Sequence, residues 1–140
     1  MFFASLSKVI FYEKTGCGGN ARQKELLRKY GITLEVRSIL DTLWDKTTLE
    51  AFFEGLSSKE ILNPFAPQIK EGFDVDTYSK DELIDKMLKE PILIKRPLLQ
   101  IGDIKLCGFD IKKLNALLHV NMPIPKDINK CLSSDECNKS

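Results

Sequence analysis

The 140-residue sequence lacks several features that would assign it quickly to a function class. It has one histidine and four cysteines, and no two cysteines stand in a C-x-x-C pair. That spacing fits neither a small secreted disulfide framework nor a set of zinc knuckles. With no H-x-x-x-H, EF-hand, Walker or G-x-G-x-x-G pattern, metal, calcium, nucleotide and dinucleotide sites have no sequence support, and no bound cofactor is expected. Charge of one sign is also lacking. Lys and Arg number 21 against 20 Asp and Glu, a net charge of +1 that provides no electrostatic footprint for nucleic acid or an anionic membrane surface. No segment approaches the roughly 18 apolar residues that a membrane helix needs, and the first residues carry no basic leader. The expectation is a soluble cytoplasmic protein with neither nucleic acid nor membrane as partner.

What is present is enough apolar material for a core, 43% of residues. The length suits one domain, expected over residues 1–120, with a polar tail over 121–140. Residues 8–13 form an apolar, β-branched and aromatic run, as expected for a strand covered on both faces. Residues 20–30 carry strong helix formers, with Leu26, Leu27 and Tyr30 inward and Gly31 as the stop. Residues 32–39 alternate apolar and polar and predict a second strand, parallel to the first if the connection is the usual right-handed crossover. A helical insertion is expected over about 40–90. Its capping boxes are Thr47 with Glu50, Ser57 with Glu60 and Ser79 with Glu82. Leu49, Phe52, Phe53 and Leu56 fall on one helical face, as do Leu83, Ile84, Met87 and Leu88. The proline-rich loop of residues 63–72 is placed to line a cleft. Residues 92–101 and 104–107 predict an antiparallel pair joined by Gly102-Asp103, and Asp110 can cap a last helix carrying Ile111, Leu114, Leu117 and Leu118.

The organising feature is the break between first strand and first helix, where Cys17 is followed by Gly18, Gly19 and Asn20. A thiol at a helix N-terminus sits where bare backbone N–H groups favour negative charge, by about 0.3 to 1 kcal/mol at an exposed site. The two glycines allow close backbone approach to an anion. The competing reading is a tight turn that merely needs glycine. Asn20 stands where a second motif cysteine would be, so any redox cycle here is monothiol, with glutathione as co-substrate unless Cys107 or a tail cysteine resolves the intermediate. Cys107 lies on an apolar strand, where a core role is expected. Cys131 and Cys137 are read either as tail thiols without a role or as a resolving pair. His119, at the end of the last helix, is assigned a surface role. Pro97, inside a predicted strand, requires a reason, because proline cannot donate to the ladder.

The order β-α-β, helical insertion, β-β-α is an α/β arrangement that matches a thioredoxin-like fold. The chain resembles the arsenate reductase (ArsC-like) family and, within it, the small branch named nitrogenase-associated proteins. The residues that carry the resemblance are Val9-Ile-Phe-Tyr-Glu-Lys-Thr-Gly-Cys-Gly-Gly-Asn-Ala-Arg-Gln-Lys24, Asn63-Pro-Phe-Ala-Pro67, and Pro91-Ile-Leu-Ile-Lys-Arg-Pro-Leu-Leu-Gln-Ile-Gly102 with Gly108-Phe-Asp110. It covers residues 8–118.

The resemblance implies Cys17 as catalytic thiol and Arg96 as an oxyanion-holding or thiolate-stabilising arginine, against the alternative of a structural ion pair. It implies a cis Pro97 facing the cysteine, and Gly18, Gly19, Asn20, Asn63 and Pro97 as substrate-binding positions. The chain departs from the family pattern at three places. Asn63 and Gly108 stand where a second and third arginine are usual, and Glu13 stands where a histidine is common. Each missing charge-assisted hydrogen bond removes about 1.5 to 3 kcal/mol from oxyanion binding, so weak arsenate reduction is expected. The implied functions are a glutathione-linked thiol oxidoreductase, with glutathione or glutaredoxin as partner, and a non-catalytic module that binds a nitrogenase-related protein. A transcription-regulator role, as in polymerase-binding relatives of this fold, is disfavoured by the single motif cysteine.

Overall fold

The computed structural model describes residues 8–125 and Ile128. Strand β1, Lys8–Glu13, lies inside a four-stranded sheet and turns alternate side chains to opposite faces. Val9 and Phe11 enter one core cluster, while Ile10 and Tyr12 pack with the other. Its run of apolar residues is thereby accounted for, since both faces are covered. Helix α1, Gly18–Lys29, follows β1. At its end Gly31 takes φ +80°, and the N–H groups of Gly31 and Ile32 return to the carbonyls of Arg28 and Leu27 at 3.0 and 3.1 Å. This is the expected left-handed stop. Strand β2, Thr33–Ser38, then runs parallel to β1, with Lys8 opposite Thr33 and Glu13 opposite Ser38.

Strand β3, Leu98–Ile101, pairs antiparallel with β1, and β4, Ile104–Cys107, pairs antiparallel with β3 across the Gly102-Asp103 turn. The sheet order is β2-β1-β3-β4. The last helix, α6, Ile111–Leu118, is capped by Asp110, whose Oδ1 accepts from Lys113 N–H at 3.3 Å. Helices α1 and α6 cover the face bearing Val9, Phe11, Leu99 and Ile101. Between β2 and β3, in chain order, come α2 (Lys46–Glu50), α3 (Ser58–Ile61), α4 (Pro67–Lys70) and α5 (Lys80–Lys89). These helices and their flanks cover the face bearing Tyr12 and Leu98 through Leu49, Phe52, Phe53, Ile61, Leu83 and Met87. Most of these side chains are fully buried, each stabilising by about 1.5 to 3 kcal/mol. The insertion therefore supplies one of the two cores. The whole is a thioredoxin-like α/β fold with three layers.

Four local expectations are corrected. Helix α2 is capped by Asp45, whose Oδ1 takes the Thr48 N–H at 2.7 Å, so Thr47 lies inside the helix and the Thr47/Glu50 box does not form. The helix is also short. Ala51 is its C-cap, and Phe52, Phe53 and Leu56 follow in i→i+3 turns that keep Phe52 and Phe53 in the core. The Ser57/Glu60 and Ser79/Glu82 boxes are both complete.

The expected strand 92–101 is divided: residues Pro91–Leu93 form a 3-10 turn, Ile94 makes an isolated bridge with Leu62, and regular pairing starts only at Leu98. Proline at both 91 and 97 denies the ladder its donors. Part of the 63–72 loop is helical as well, with Pro67 at the first position of α4.

Candidate functional site

Strand β1 ends at Glu13, and the chain turns so that Cys17 N–H donates to Lys14 O at 3.1 Å, with Gly16 at φ +87°. Cys17 is the N-cap of α1. Its carbonyl starts the helical ladder by accepting from Ala21 N–H at 3.0 Å, and its Sγ accepts from Asn20 N–H at 3.5 Å. The sulfur thus takes the place that a serine or aspartate oxygen usually holds. Gly18 and Gly19 are the first two helical residues, so the N–H groups expected to face an anion belong to them and to Asn20.

The Asn20 side chain is buried and engaged. Its Oδ1 accepts from Lys14 N–H and its Nδ2 donates to Gln23 Oε1, both at 3.0 Å. Gln23 Nε2 in turn donates to the carbonyl of Ile128 at 2.7 Å. Asn20 serves the site through its backbone N–H, while its amide clamps the turn.

The turn opens onto a cleft of about 780 Å³, which gathers Cys17, Gly19, Asn20, Asn63 and Arg96. Five of the seven sequence-selected positions meet there; Gly18 and Pro97 do not line it. The Arg96–Pro97 peptide is cis, Pro97 is buried, and its carbonyl accepts from Gly108 N–H at 2.8 Å. Arg96, half-buried, is the part of this pair that reaches the cleft.

Asn63 is only 2% exposed. Its Nδ2 donates to Ile92 O at 2.9 Å and its Oδ1 accepts from Phe65 N–H at 3.0 Å, tying the Pro64-Phe65 corner to the 91–93 turn. Phe65 stays partly exposed at the rim.

The cleft contains groups that sequence reasoning missed. Lys95 and Lys105 both line it; Cys107, weighed from the sequence as a resolving thiol or a core residue, lines it too. Gly108 takes φ +89°, and a Cβ built there would lie 3.4 Å from Cε and 3.8 Å from Nζ of Lys95. The position where the resemblance leads one to look for an arginine therefore has a lysine arm lying against it. No local pattern signals this, because residues 95 and 108 meet only through the β3-β4 hairpin.

The Cys107 thiol is pushed up to about 12, chiefly by burial, with Lys95 drawing it down and Glu60 raising it. It is half-buried and stays protonated at neutral pH, a poor nucleophile. Glu13, which stands where a histidine is common in the family, forms an ion pair with Lys24, both side chains largely buried, and does not line the cleft. His119, exposed, is the C-cap of α6 in the left-handed conformation, away from the cleft lining.

Cys131 and Cys137 lie outside the described residues. Among the described residues no group of three or more His, Cys, Asp or Glu side chains is placed to hold a metal, and no helix is long and apolar enough to cross a membrane. Chemically, the site is a buried thiol on a helix N-terminus that shares its cleft with five cationic side chains, Lys95, Arg96, Lys105, Lys112 and Lys113, and three carboxylates, Glu54, Glu60 and Asp110. This surplus of positive charge is suited to attack by sulfur on an electrophile that carries or develops negative charge.

The sequence pattern of the ArsC family matches residues 22–117. A 15.7 kDa protein in the draG 3' region of Rhodospirillum rubrum is 36% identical over 129 residues, 91% of this chain and 90% of that protein. An arsenate reductase of Escherichia coli is 31% identical over 96 residues, 66% of this chain and 68% of the reductase. Two solved structures share the fold. An ArsC family related protein from Bacteroides fragilis superposes with a TM-score of 0.67 at 24% identity, covering 79% of this chain and 98% of that one. The arsenate reductase from Vibrio cholerae gives 0.61 at 21%, covering 81% and 98%. Sequence pattern and architecture agree on the same lineage, and the chain belongs to the ArsC family.

Proposed function

We propose that the protein is a monothiol, glutathione-linked oxidoreductase in which Cys17 is the nucleophile. The observation that carries this reading is the Asn20 N–H donating to the Cys17 sulfur at the helix N-cap, on a cleft shared with Arg96. In the proposed cycle the Cys17 thiolate attacks the glutathionyl sulfur of a mixed disulfide. The Cys17–glutathione disulfide forms, and the substrate thiolate leaves and takes a proton. A second glutathione thiolate then attacks the glutathionyl sulfur on Cys17, releasing the protein thiolate and oxidised glutathione. Glutaredoxin is the protein reductant that could replace the second glutathione. Arg96 stabilises the anionic sulfur, and Pro97 positions Arg96 from below the cleft surface. The reduced glutathione pool of the cytoplasm is the compartment this cycle requires.

Arsenate turnover is expected to be weak. Asn63 offers no charge, and its amide is occupied by Ile92 and Phe65. The test is a parallel assay of the wild-type protein and Cys17→Ser for glutathione-dependent disulfide reduction and for arsenate reduction. Disulfide reduction that disappears in Cys17→Ser, with little arsenate reduction in either, is the expected result. Wild-type protein inactive in both assays would overturn the enzymatic reading.

A second reading is a binding module for a nitrogenase-related protein. It rests on the partly exposed Phe65 at the cleft rim, within the Asn63-to-Pro67 block that resembles the nitrogenase-associated branch. A pull-down from nitrogen-fixing cells, with Phe65→Ser as control, tests it. Recovery of no nitrogenase component by the wild type would sink it.

A further inference from the structure

Lys95 and Lys105 stand in the cleft with Cys17, and among the described residues neither makes an ion pair within 4 Å. Both are half-buried, so their charges are less screened than those of surface lysines. Lys95 is fixed at its base, where its N–H donates to Ile61 O at 2.9 Å, and its arm lies along Gly108. A Cβ at 108 would sit in van der Waals contact with that arm, and φ +89° disfavours a side chain there.

Three carboxylates, Glu54, Glu60 and Asp110, share the cleft, and Lys95 adds to the lowering of the Glu60 carboxyl that its capping bond to Ser57 chiefly causes. Glu60 accepts from Ser57 N–H at 2.9 Å in its capping box, and Asp110 accepts from Lys113 N–H at the start of α6. Lys95, Arg96, Lys105, Lys112 and Lys113 outnumber these three carboxylates in the lining that also includes Cys17, so the cleft keeps a surplus of positive charge.

We infer that Lys95 and Lys105 form a carboxylate-binding subsite beside Cys17, which selects thiol substrates and disulfides that carry free carboxylates. The ligand class is a low-molecular-weight carboxylate-bearing thiol in disulfide linkage, and glutathione, with two carboxylates, belongs to it. The choice of glutathione rests on the proposed function; the charge requirement rests on the lysines.

An ammonium meets a carboxylate by a charge-assisted hydrogen bond, and in a half-buried cleft its loss is worth about tenfold or more in affinity. Arginine at position 95 would keep the charge and reach, while methionine keeps the volume and removes the charge.

The test is calorimetric titration of wild type, Lys95→Met and Lys95→Arg with S-methylglutathione, which has no free thiol and binds without exchange, and with its diethyl ester. Glutathione-dependent turnover is measured on the same preparations, and circular dichroism checks that each variant is folded. The subsite predicts that Lys95→Met weakens binding of the acid by about tenfold, leaves binding of the ester unchanged, and that Lys95→Arg retains affinity for the acid. Wild type that fails to bind the acid, acid and ester that bind alike, or Lys95→Met that binds as wild type would each overturn it. Turnover with Lys95-independent binding removes the subsite and leaves the Cys17 chemistry standing. Lys95-dependent binding without turnover does the reverse.

Discussion

The backbone N–H of Asn20 donates to the sulfur of Cys17 at 3.5 Å, while the side chain of the same asparagine holds the Lys14 N–H and Gln23 from the buried side of the turn. One residue thus orients the donor to the thiol and fixes the loop that presents it. Replacing Asn20 with alanine removes two buried hydrogen bonds and should cost about 1 to 3 kcal/mol in urea unfolding. It should also slow alkylation of Cys17 at neutral pH. A variant of unchanged stability and unchanged Cys17 reactivity would show that the clamp is idle.

Cys107 provides an internal contrast. Burial pushes its thiol up to about 12 from an ordinary value of 9.0, so iodoacetamide at pH 8 should modify Cys17 and leave Cys107 intact in the folded protein. The same shift fixes a stability trend. An acid whose folded-state pKa is raised keeps its proton in the native state while the unfolded chain loses it. The contribution is complete below about 9 and is lost as pH rises toward about 12. Unfolding midpoints across that window should fall more steeply for wild type than for Cys107→Ala, and equal slopes would contradict the assignment.

The Glu13–Lys24 pair joins the end of β1 to the first helix, and its side chains are 14% and 19% exposed. Lys24→Met strands a carboxylate in a largely dry position and should destabilise by about 3 kcal/mol. Adding Glu13→Gln to that variant should restore most of the loss. A double mutant no better than the single would mean that Lys24 acts by packing alone.

His119 ends α6 at φ 57°, ψ 44°, the only described non-glycine residue with positive φ. Left-handed backbone costs an ordinary side chain about 1 kcal/mol, and glycine is free of that cost. His119→Gly should therefore raise stability by up to about 1 kcal/mol in thermal melts, with no effect on Cys17 chemistry.

Much of this architecture could be read from local chemistry. The apolar run around Phe11, the glycine stop at Gly31, two of the three capping boxes and the Asp110 cap each depend on residues only a few positions apart. What could not be read depends on a choice between equivalent local options or on distant chain. Asp45 and Thr47 are both good caps, and nothing in their local sequence chooses between them; Asp45 takes the cap and Leu49 lies in the core. The 91–97 segment looks like strand by composition, but its prolines remove the ladder donors and leave a turn and one bridge.

The sequence could place Cys17 at the first strand-to-helix turn and Arg96 before the cis proline, whereas the place of Lys95 in the cleft could not be read: it depends on the hairpin that brings Gly108 under its arm. Asn63, chosen from the sequence as a ligand contact, has both its amide groups engaged by backbone partners.

The most direct measurement of the central claim is exposure of the folded protein to oxidised glutathione, followed by peptide mass mapping before and after addition of reduced glutathione. The account predicts a glutathionyl adduct on Cys17 that reduced glutathione removes, with Cys107 unmodified. A Cys17 that stays unmodified while the protein remains folded would contradict it.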